Sequence, residues 1–292
     1  MTDAHPQLLV TGASGKLGHR VIEALLRTGP AARIVAGLRK TDDEAAAALR
    51  ARGVAVRAVD YDRPETLAPA LEGVARLLLI SSDALGKRVG QHRNVIDAAR
   101  EAGVGLLAYT SILHADTAPP AIADEHRRTE AALRASGVPF VILRNGWYTE
   151  NYVAAMPLAL QHGAVLGSAG EGRISSAARA DYAEAAAAVL TAPEVESGRT
   201  YELAGDEAFT LSAFAAEVSK VSGQAVSYRN LSEADYRAVL LQAGLPEDLA
   251  GFVAAADAAA ADGALFDDGR DLSRLIGRPT TPMPVTVAAG EH

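Results

Sequence analysis

Short apolar runs alternate with helical patterns along the first half of the chain. Between the runs, apolar residues such as Leu17, Val21 and Leu25 recur at helical spacing. The apolar runs fall at residues 8–10, 34–38, 54–59, 77–80, 106–109 and 140–143. Strands that are apolar throughout are typical of a parallel sheet covered on both faces. The pattern therefore predicts an α/β fold built on a doubly wound parallel Rossmann sheet.

After about residue 150 the pattern changes and helices predominate. Helices are predicted at 183–190, 211–222, 232–242 and 247–261, with short strands at 199–203 and 226–228. Three prolines, Pro279, Pro282 and Pro284, predict an irregular tail. We predict a dinucleotide-binding Rossmann domain over 1–150 and a smaller helix-rich C-terminal lobe over 151–292, which binds substrate and returns some segments to the sheet.

Composition and charge exclude several classes of function and of binding site. The 292 residues carry a formal net charge of -8, which argues against a general nucleic-acid or anionic-membrane binder. The chain has no cysteine, so redox chemistry must come from a cofactor, and no metal site is expected. Residues 1–7 lack the pattern of an export signal, and no apolar stretch is long enough to cross a membrane. The expected location is the cytoplasm.

A glycine-rich turn, TGASGKLG at residues 11–18, follows the first strand and opens the first helix. Glycines at this spacing allow a sharp turn and a close approach of a pyrophosphate, and the helix N-terminus offers unpaired N–H groups. A tight turn without a ligand is the alternative. The cofactor-binding residues predicted here are Gly12, Ser14, Gly15, Lys16, Leu17 and Gly18.

The end of the second strand indicates which nucleotide is bound. An NAD site places an acidic residue there, whereas this chain has Arg39 followed by Lys40. We expect Arg39 to bind the 2′-phosphate of NADP(H), although a solvated basic loop is the alternative. The third strand is followed by Asp60, Tyr61 and Asp62, which are placed near the adenine. The fourth strand is followed by Ser81 and Ser82, which are placed near the ribose and phosphates. Capping is the alternative role at both places.

These features together resemble the short-chain dehydrogenase/reductase superfamily. Its usual members use a Tyr-x-x-x-Lys pair after the fifth strand and a serine at that strand's end, where this chain has Ser111. In extended members a glutamate follows the lysine by four residues. Matching that glutamate to Glu130 puts His126 at the lysine position and Ile122 at the tyrosine position. The resemblance therefore implies that the usual proton-transfer pair is absent.

The NmrA-like, atypical branch of that superfamily is the more specific resemblance. Residues 129–152 read TEAALRASGVPFVILRNGWYTENY, with the Ser-Gly-x-Pro and Leu-Arg-Asn elements of that branch. The segments LISS (79–82), QHRNVI (91–96), YTSILHAD (109–116) and LFDD (265–268) are similar to the type 2 NADPH:quinone oxidoreductases of bacteria. The resemblance implies NADPH as cofactor, with Thr110 and Ser111 among its contacts, and a small-molecule quinone as substrate.

Reduction of a quinone does not require the Tyr-Lys pair that this chain lacks. Aromatisation drives hydride transfer to a quinone and the hydroquinone oxygens are weak bases, so positioning matters more than a tuned acid. Asn145, after the sixth strand, is expected to hold the nicotinamide carboxamide or to polarise a quinone oxygen, with a structural turn as the alternative. His126 is a candidate proton donor, with a surface or capping role as the alternative.

Three of the chain's few aromatic residues gather just beyond Asn145. Trp147, Tyr148 and Tyr152 are predicted to form flat walls for a planar substrate, with Tyr148 nearest to it as a catalytic residue. A place in the core is the alternative.

Two other functions stay open at this point. One is a non-catalytic redox sensor that binds NADP(H), and the other is reduction of phenolic ethers, which ranks last because its relatives use the lysine that His126 replaces. A homodimer is possible, and neither nucleic-acid binding nor membrane insertion is expected.

Overall fold

The computed structural model describes residues 6–290. Residues 1–5, part of the segment predicted to lack an export signal, lie outside the described residues. Nine strands occur in this part of the chain: β1 (Gln7–Val10), β2 (Ile34–Leu38), β3 (Ala55–Ala58), β4 (Val74–Leu79), β5 (Leu106–Ile112), β6 (Phe140–Asn145), β7 (Ala164–Gly167), β8 (Thr200–Leu203) and β9 (Ser227–Asn230).

Thirteen α-helices lie within the same described residues. In the first part of the chain they are α1 (Lys16–Thr28), α2 (Glu44–Ala51), α3 (Leu67–Leu71), α4 (Arg88–Glu101), α5 (Pro120–Ala135), α6 (Thr149–Ala154) and α7 (Met156–His162). The later ones are α8 (Arg179–Thr191), α9 (Leu211–Ser222), α10 (Glu233–Gln242), α11 (Glu247–Ala261), α12 (Asp271–Ile276) and α13 (Met283–Ala289).

Seven strands form the central sheet, in the order β3-β2-β1-β4-β5-β6-β8. The pairs from β3 to β5 are parallel; Leu9, for example, lies opposite Val35 on one side and Leu77 on the other. The first six strands have the order of a doubly wound Rossmann sheet, which reverses direction between β1 and β4. The predicted fold class, with its helix-rich C-terminal part, is confirmed.

The chain divides into two compact units that alternate along the sequence. Unit 1 comprises Met1–Ser111, Glu125–Arg144 and Tyr182–Tyr201; unit 2 comprises Ile112–Asp124, Asn145–Asp181 and Glu202–His292. The domain ranges 1–150 and 151–292 stay a prediction.

Each unit has its own apolar core. In unit 1, Leu77, Leu107 and Tyr109 are fully buried between the helices that cover the sheet. In unit 2, Phe214 of α9 packs with Val218 and Ile174. Thr210 caps the start of α9 by accepting a hydrogen bond from the backbone N–H of Ala213.

The tail is the element that the sequence pattern mispredicts. Residues 277–282, which include Pro279, are irregular as predicted, but α13 follows them, with Pro282 as its N-cap and Pro284 in its first turn. Proline is well suited to the first turn because the first N–H groups of a helix have no intrahelical partner. Pro282 and Pro284 therefore mark a helix start, and the expectation of an irregular tail was wrong from residue 283 onward.

Candidate active site

The glycine-rich turn of unit 1 forms an anion-binding helix start. Gly12 has φ +57°, a left-handed conformation that favours glycine. A Cβ on Gly18 would lie 2.2 Å from the carbonyl oxygen of Gly12, so the first turn of α1 can approach the strand only without a side chain there. The first turn of α1 has no acidic residue and Gly15 provides no side-chain cap. Its N–H groups are therefore available to a phosphate.

A cavity of about 420 Å³ opens beside this turn, entirely within unit 1. Most of the cofactor-binding residues predicted from sequence line it: Gly12, Ser14, Gly15, Lys16, Leu17, Arg39, Asp60, Ser81 and Ser82. Sequence reasoning missed Val59, Ile80, Asp83, Ala84 and Gln91, which line the same cavity. Gln91 belongs to the QHRNVI segment, but no local pattern marks it as a wall of the cavity. Gly18, Thr110, Ser111 and Asn145 are not among the lining residues.

Arg39 is exposed at the cavity, directly after β2. Within the described part of the chain, residues 6–290, no acidic side chain forms an ion pair with Arg39. Its guanidinium is therefore available to neutralise a bound phosphate, which it can contact with two parallel N–H groups.

The Ser81–Ser82 turn after β4 is held from behind by buried side chains. The N–H of Ser81 donates to Oγ1 of Thr110 at 2.9 Å, and the N–H of Ser82 donates to Nε2 of His92 at 3.0 Å. Nε of Arg88 donates to the carbonyl oxygen of Ser82 at 2.5 Å. Thr110 thus supports a cavity wall that it does not itself line.

His126 is buried beside Arg88 and is neutral near pH 7. Burial, with the Arg88 charge as a second cause, lowers the pKa of His126 to about 3. NH1 of Arg88 lies 3.3 Å from Nε2 of His126, and the Tyr109 hydroxyl lies 2.9 Å from its Nδ1. A guanidinium can only donate, so Nε2 accepts and the ring proton is on Nδ1. A role for His126 as proton donor stays a prediction, without support from this geometry.

We expect the two buried histidines, His92 and His126, to make the free energy of unfolding depend on pH. Burial also lowers the pKa of His92 to about 3, whereas an unfolded histidine titrates near 6.5. Because the unfolded chain then binds more protons, stability is complete above about pH 6.5 and falls as the pH drops toward 3. From pH 7 to pH 5 each ring is expected to cost about 2 kcal/mol of unfolding free energy.

Urea unfolding of the wild type and of His126→Gln at both pH values measures this effect. The variant should lose about 2 kcal/mol less than the wild type between pH 7 and pH 5. His19→Gln is the control, because His19 is largely exposed. Equal losses in the wild type and His126→Gln would contradict a neutral, buried His126.

Ser111 belongs to a buried ion-pair cluster in unit 1. Its hydroxyl donates to Oε1 of Glu130 at 2.6 Å. Arg144 binds the same carboxylate through two N–H groups at 3.0 and 2.9 Å, and Arg134 contributes a contact at 3.1 Å. Burial alone would raise the pKa of Glu130, but the hydrogen bonds from Arg144 and Ser111 outweigh it and hold the pKa below its usual value. The cluster fixes α5 to β6.

Asn145 is the last residue of β6 and is 6% exposed. Its Nδ2 faces the hydroxyl of Tyr148 at 3.5 Å, while its Oδ1 is buried with no hydrogen-bond partner among residues 6–290. Most buried acceptors in proteins have a partner, so Oδ1 is prepared for a donor from a ligand. Burial raises the pKa of Tyr148, and the guanidinium of Arg179 lies 4.8 Å from its ring centre. Tyr148 is therefore a protonated phenol.

A second cavity, of about 960 Å³, lies within unit 2. Trp147 lines it and stacks on Phe252, with ring centres 5.9 Å apart. Tyr152 also lines it and packs against Phe214, but its hydroxyl is buried without a partner among the described residues. Tyr148 is not among the lining residues. The other lining residues are mainly apolar, and none is lysine or arginine.

Asp257 of α11 is the acidic residue of this cavity. Burial raises its pKa to about 6, although hydrogen bonds from the backbone at Ser168 and Ala169 act in the opposite direction. Its carboxylate accepts the N–H of Ser168, so the group holds the chain after β7 in place. Because the other lining residues are mainly apolar, the cavity suits an apolar or aromatic ligand.

Within residues 6–290, no group of three or more histidine and acidic residues is arranged to hold a metal ion. No helix in that range combines the length and the apolar character that spanning a membrane requires.

Comparison with known proteins places these sites in context. The model of the NmrA-like family matches residues 5–279. The chain is 53% identical to Quinone oxidoreductase 2 of Escherichia coli (strain K12), over 96% of this chain and 97% of that protein. It is similar, with TM-score 0.93, to the crystal structure of the E. coli NADPH-dependent quinone oxidoreductase complexed with NADPH, also at 53% identity, covering 97% and 99% of the two chains. The triphenylmethane reductase of Citrobacter sp. complexed with NADP(H) is 37% identical, with TM-score 0.91 and coverage of 97% and 99%.

Proposed function

This chain belongs to the NmrA-like family, and from that premise we propose that it uses NADPH to reduce quinones to hydroquinones by direct hydride transfer. The observation that carries the proposal is the 53% identity to E. coli Quinone oxidoreductase 2 over 96% of the chain. The fold and the unit 1 cavity support it, because most of the predicted cofactor-binding residues line that cavity.

The residues of unit 1 fit NADPH. The turn at Gly12 offers backbone N–H groups to the pyrophosphate, and Arg39 offers its guanidinium to the 2′-phosphate. Asp60, Ser81 and Ser82 border the same cavity and are proposed to contact the nucleoside. When bound, NADPH supplies the hydride. Thr110 and Ser111 act indirectly, Thr110 by holding the Ser81 backbone and Ser111 by holding Glu130.

The residues of unit 2 supply orientation and an apolar environment. The buried Oδ1 of Asn145 would accept a hydrogen bond from a carboxamide NH₂ group, and the protonated Tyr148 would donate one to a quinone oxygen. Trp147 provides a flat wall for an aromatic ring, with Tyr152 beside it. A strong acid is unnecessary, because hydroquinone oxygens are weak bases.

Removing the Asn145 amide should impair catalysis without unfolding the protein. We expect Asn145→Ala to lower kcat/KM for quinone reduction roughly 10- to 100-fold, since a misplaced reactant costs about that much. Asn145→Asp keeps the acceptor and should retain more activity. Asn230→Ala, which removes the same amide from an exposed position in β9, is the control. Unchanged kinetics in Asn145→Ala would remove Asn145 from the site.

Stopped-flow oxidation of NADPH with three quinones tests the proposed function. The panel is an unsubstituted benzoquinone, an alkylated benzoquinone and a sulfonated naphthoquinone. We expect the alkylated quinone to have the highest kcat/KM and the sulfonated one the lowest, because the unit 2 cavity is apolar and has no lysine or arginine among its lining residues. Tight NADPH binding without turnover of any quinone would instead support a redox sensor.

The cellular location and the oligomeric state belong to the same proposal. We keep the cytoplasm, where NADPH is available, as the predicted location, and a homodimer as a possible assembly. Gel filtration with light scattering distinguishes a monomer from a dimer.

A further inference from the structure

Gln91 is a buried residue at the unit 1 cavity to which the glycine-turn and strand-end motifs assign no role. It lies in the first turn of α4, is 8% exposed, and lines the cavity together with Arg39 and the turn at Gly12. A buried amide must satisfy both its donor and its acceptor to be stable. The hydrogen bonds of the Gln91 amide therefore show whether a ligand must supply a donor or an acceptor.

The orientation of the Gln91 amide is fixed by Asp62. Nε2 of Gln91 donates to Oδ2 of Asp62 at 2.9 Å. A carboxylate can only accept, so turning the amide over would place two acceptors against each other. The NH₂ end is therefore held at Asp62, and the carbonyl oxygen Oε1 is the end that remains. That oxygen is buried and has no hydrogen-bond partner among residues 6–290.

The neighbouring polar groups already have partners. The Tyr61 hydroxyl donates to the carbonyl oxygen of Ile80 at 2.8 Å, and the Tyr61 carbonyl accepts from Nδ2 of Asn94 at 2.9 Å. Oδ1 of Asp60 accepts the N–H of Asp62 at 3.0 Å. The carbonyl and carboxylate oxygens carry no hydrogen, and the Tyr61 hydroxyl already donates its single hydrogen. A donor on a bound ligand would therefore satisfy Oε1.

The base of the cofactor offers a donor of the right kind on this side of the cavity. Its pyrophosphate belongs at the α1 N-terminus and its 2′-phosphate at Arg39, which leaves the base for the residues that follow β3 and for Gln91. The base edge of adenine carries a 6-amino group, which donates. Hypoxanthine and guanine carry a 6-oxo group, which accepts and would face Oε1 unfavourably.

We propose that Oε1 of Gln91 accepts a hydrogen bond from the 6-amino group of the cofactor's adenine, and that this contact makes the site selective for 6-aminopurine dinucleotides. The inference rests on the proposed function only in taking NADPH as the cofactor. It assigns Gln91 to cofactor selection and Asp62 to holding the Gln91 amide in the orientation that the base requires.

Isothermal titration of the purified, cofactor-free protein with two dinucleotides tests this contact. The two probes are NADPH and its 6-oxo analogue, the reduced form of nicotinamide hypoxanthine dinucleotide phosphate, which differ at the purine base alone. We expect the wild type to bind NADPH at least about tenfold more tightly, because a site built for a donor rejects an analogue that lacks it. In Gln91→Met, which keeps the side-chain length, that preference should fall to about twofold or less.

Arg39→Ala is the matched control. It should weaken both dinucleotides by the same factor and leave their ratio unchanged, since both carry the 2′-phosphate. The wild-type comparison requires no variant, so a folding defect in Gln91→Met does not weaken the test. A wild-type preference below twofold, or the wild-type preference retained in a folded Gln91→Met, would overturn the inference while NADPH binding leaves the proposed function intact. Failure of both dinucleotides to bind would overturn the two together.

Discussion

Arg39→Ala is expected to weaken NADPH binding about 10- to 100-fold, because two charge-assisted hydrogen bonds to a phosphate are lost. NADH lacks the 2′-phosphate, so its dissociation constant should change by less than about twofold. Fluorescence titration with both dinucleotides measures the two effects. The expected result is a loss of preference for NADPH. Arg39 carries this prediction because it lines the cavity and has no acidic partner within residues 6–290.

Lys40→Ala is the control for Arg39→Ala. Lys40 is the next residue and is also exposed, but it does not line the cavity, so its removal should affect NADPH and NADH alike and only slightly. If Arg39→Ala weakens both dinucleotides equally, the 2′-phosphate is bound elsewhere. If Lys40→Ala has the larger effect, the contact belongs to the neighbouring side chain.

Glu130→Ala is expected to lower the free energy of unfolding by about 3–5 kcal/mol, because it breaks the buried ion pair with Arg144 and removes the acceptor of the Ser111 hydroxyl. Glu130 is 1% exposed and Arg144 is 5% exposed, so water cannot replace the lost contacts. Glu101→Ala, at an exposed glutamate in α4, should cost less than about 1 kcal/mol. Urea unfolding at pH 7 measures both values. A loss below about 1 kcal/mol in Glu130→Ala would show that the cluster contributes little.

The same carboxylate predicts a second, more acidic pH dependence. The pKa of Glu130 is held below its usual value, so its contribution to stability is complete above the unfolded pKa, near 4.3, and is lost as the pH falls through the folded pKa. The wild type should therefore lose stability in that range to a greater extent than Glu130→Ala. The buried histidines lower stability over the same range in both proteins, so the difference between the wild type and Glu130→Ala isolates the effect of Glu130.

The sheet could be predicted because its signals are local. Apolar runs, helical spacing and the glycine turn each lie within a few residues, and the strand order follows from the general rules of crossover connections. The tail could not be predicted in the same way. Pro282 and Pro284 fit a loop as well as they fit the start of α13, and only packing against the rest of unit 2 decides between them.

Some residues that line the unit 1 cavity could be predicted from local sequence patterns, and others could not. The turn at Gly12 and the basic residue Arg39 follow sequence rules, so reasoning from the chain alone found them. Gln91 did not follow such a rule, because its role depends on Asp62, which is 29 residues away in sequence. His126 shows the reverse case: its position in a motif suggested proton transfer, whereas burial beside Arg88 makes it neutral. Environment, rather than residue type, sets these properties.

The contact between Arg88 and His126 also constrains how this site can evolve. In the usual superfamily arrangement a lysine stands where this chain has His126. A His126→Lys change would put a second cation beside the Arg88 guanidinium at a buried position. Replacing Arg88 as well would remove the donor of the Ser82 carbonyl. Building the Tyr-Lys pair into this chain therefore requires changes at Ile122, His126 and Arg88, together with a new donor for the Ser82 turn.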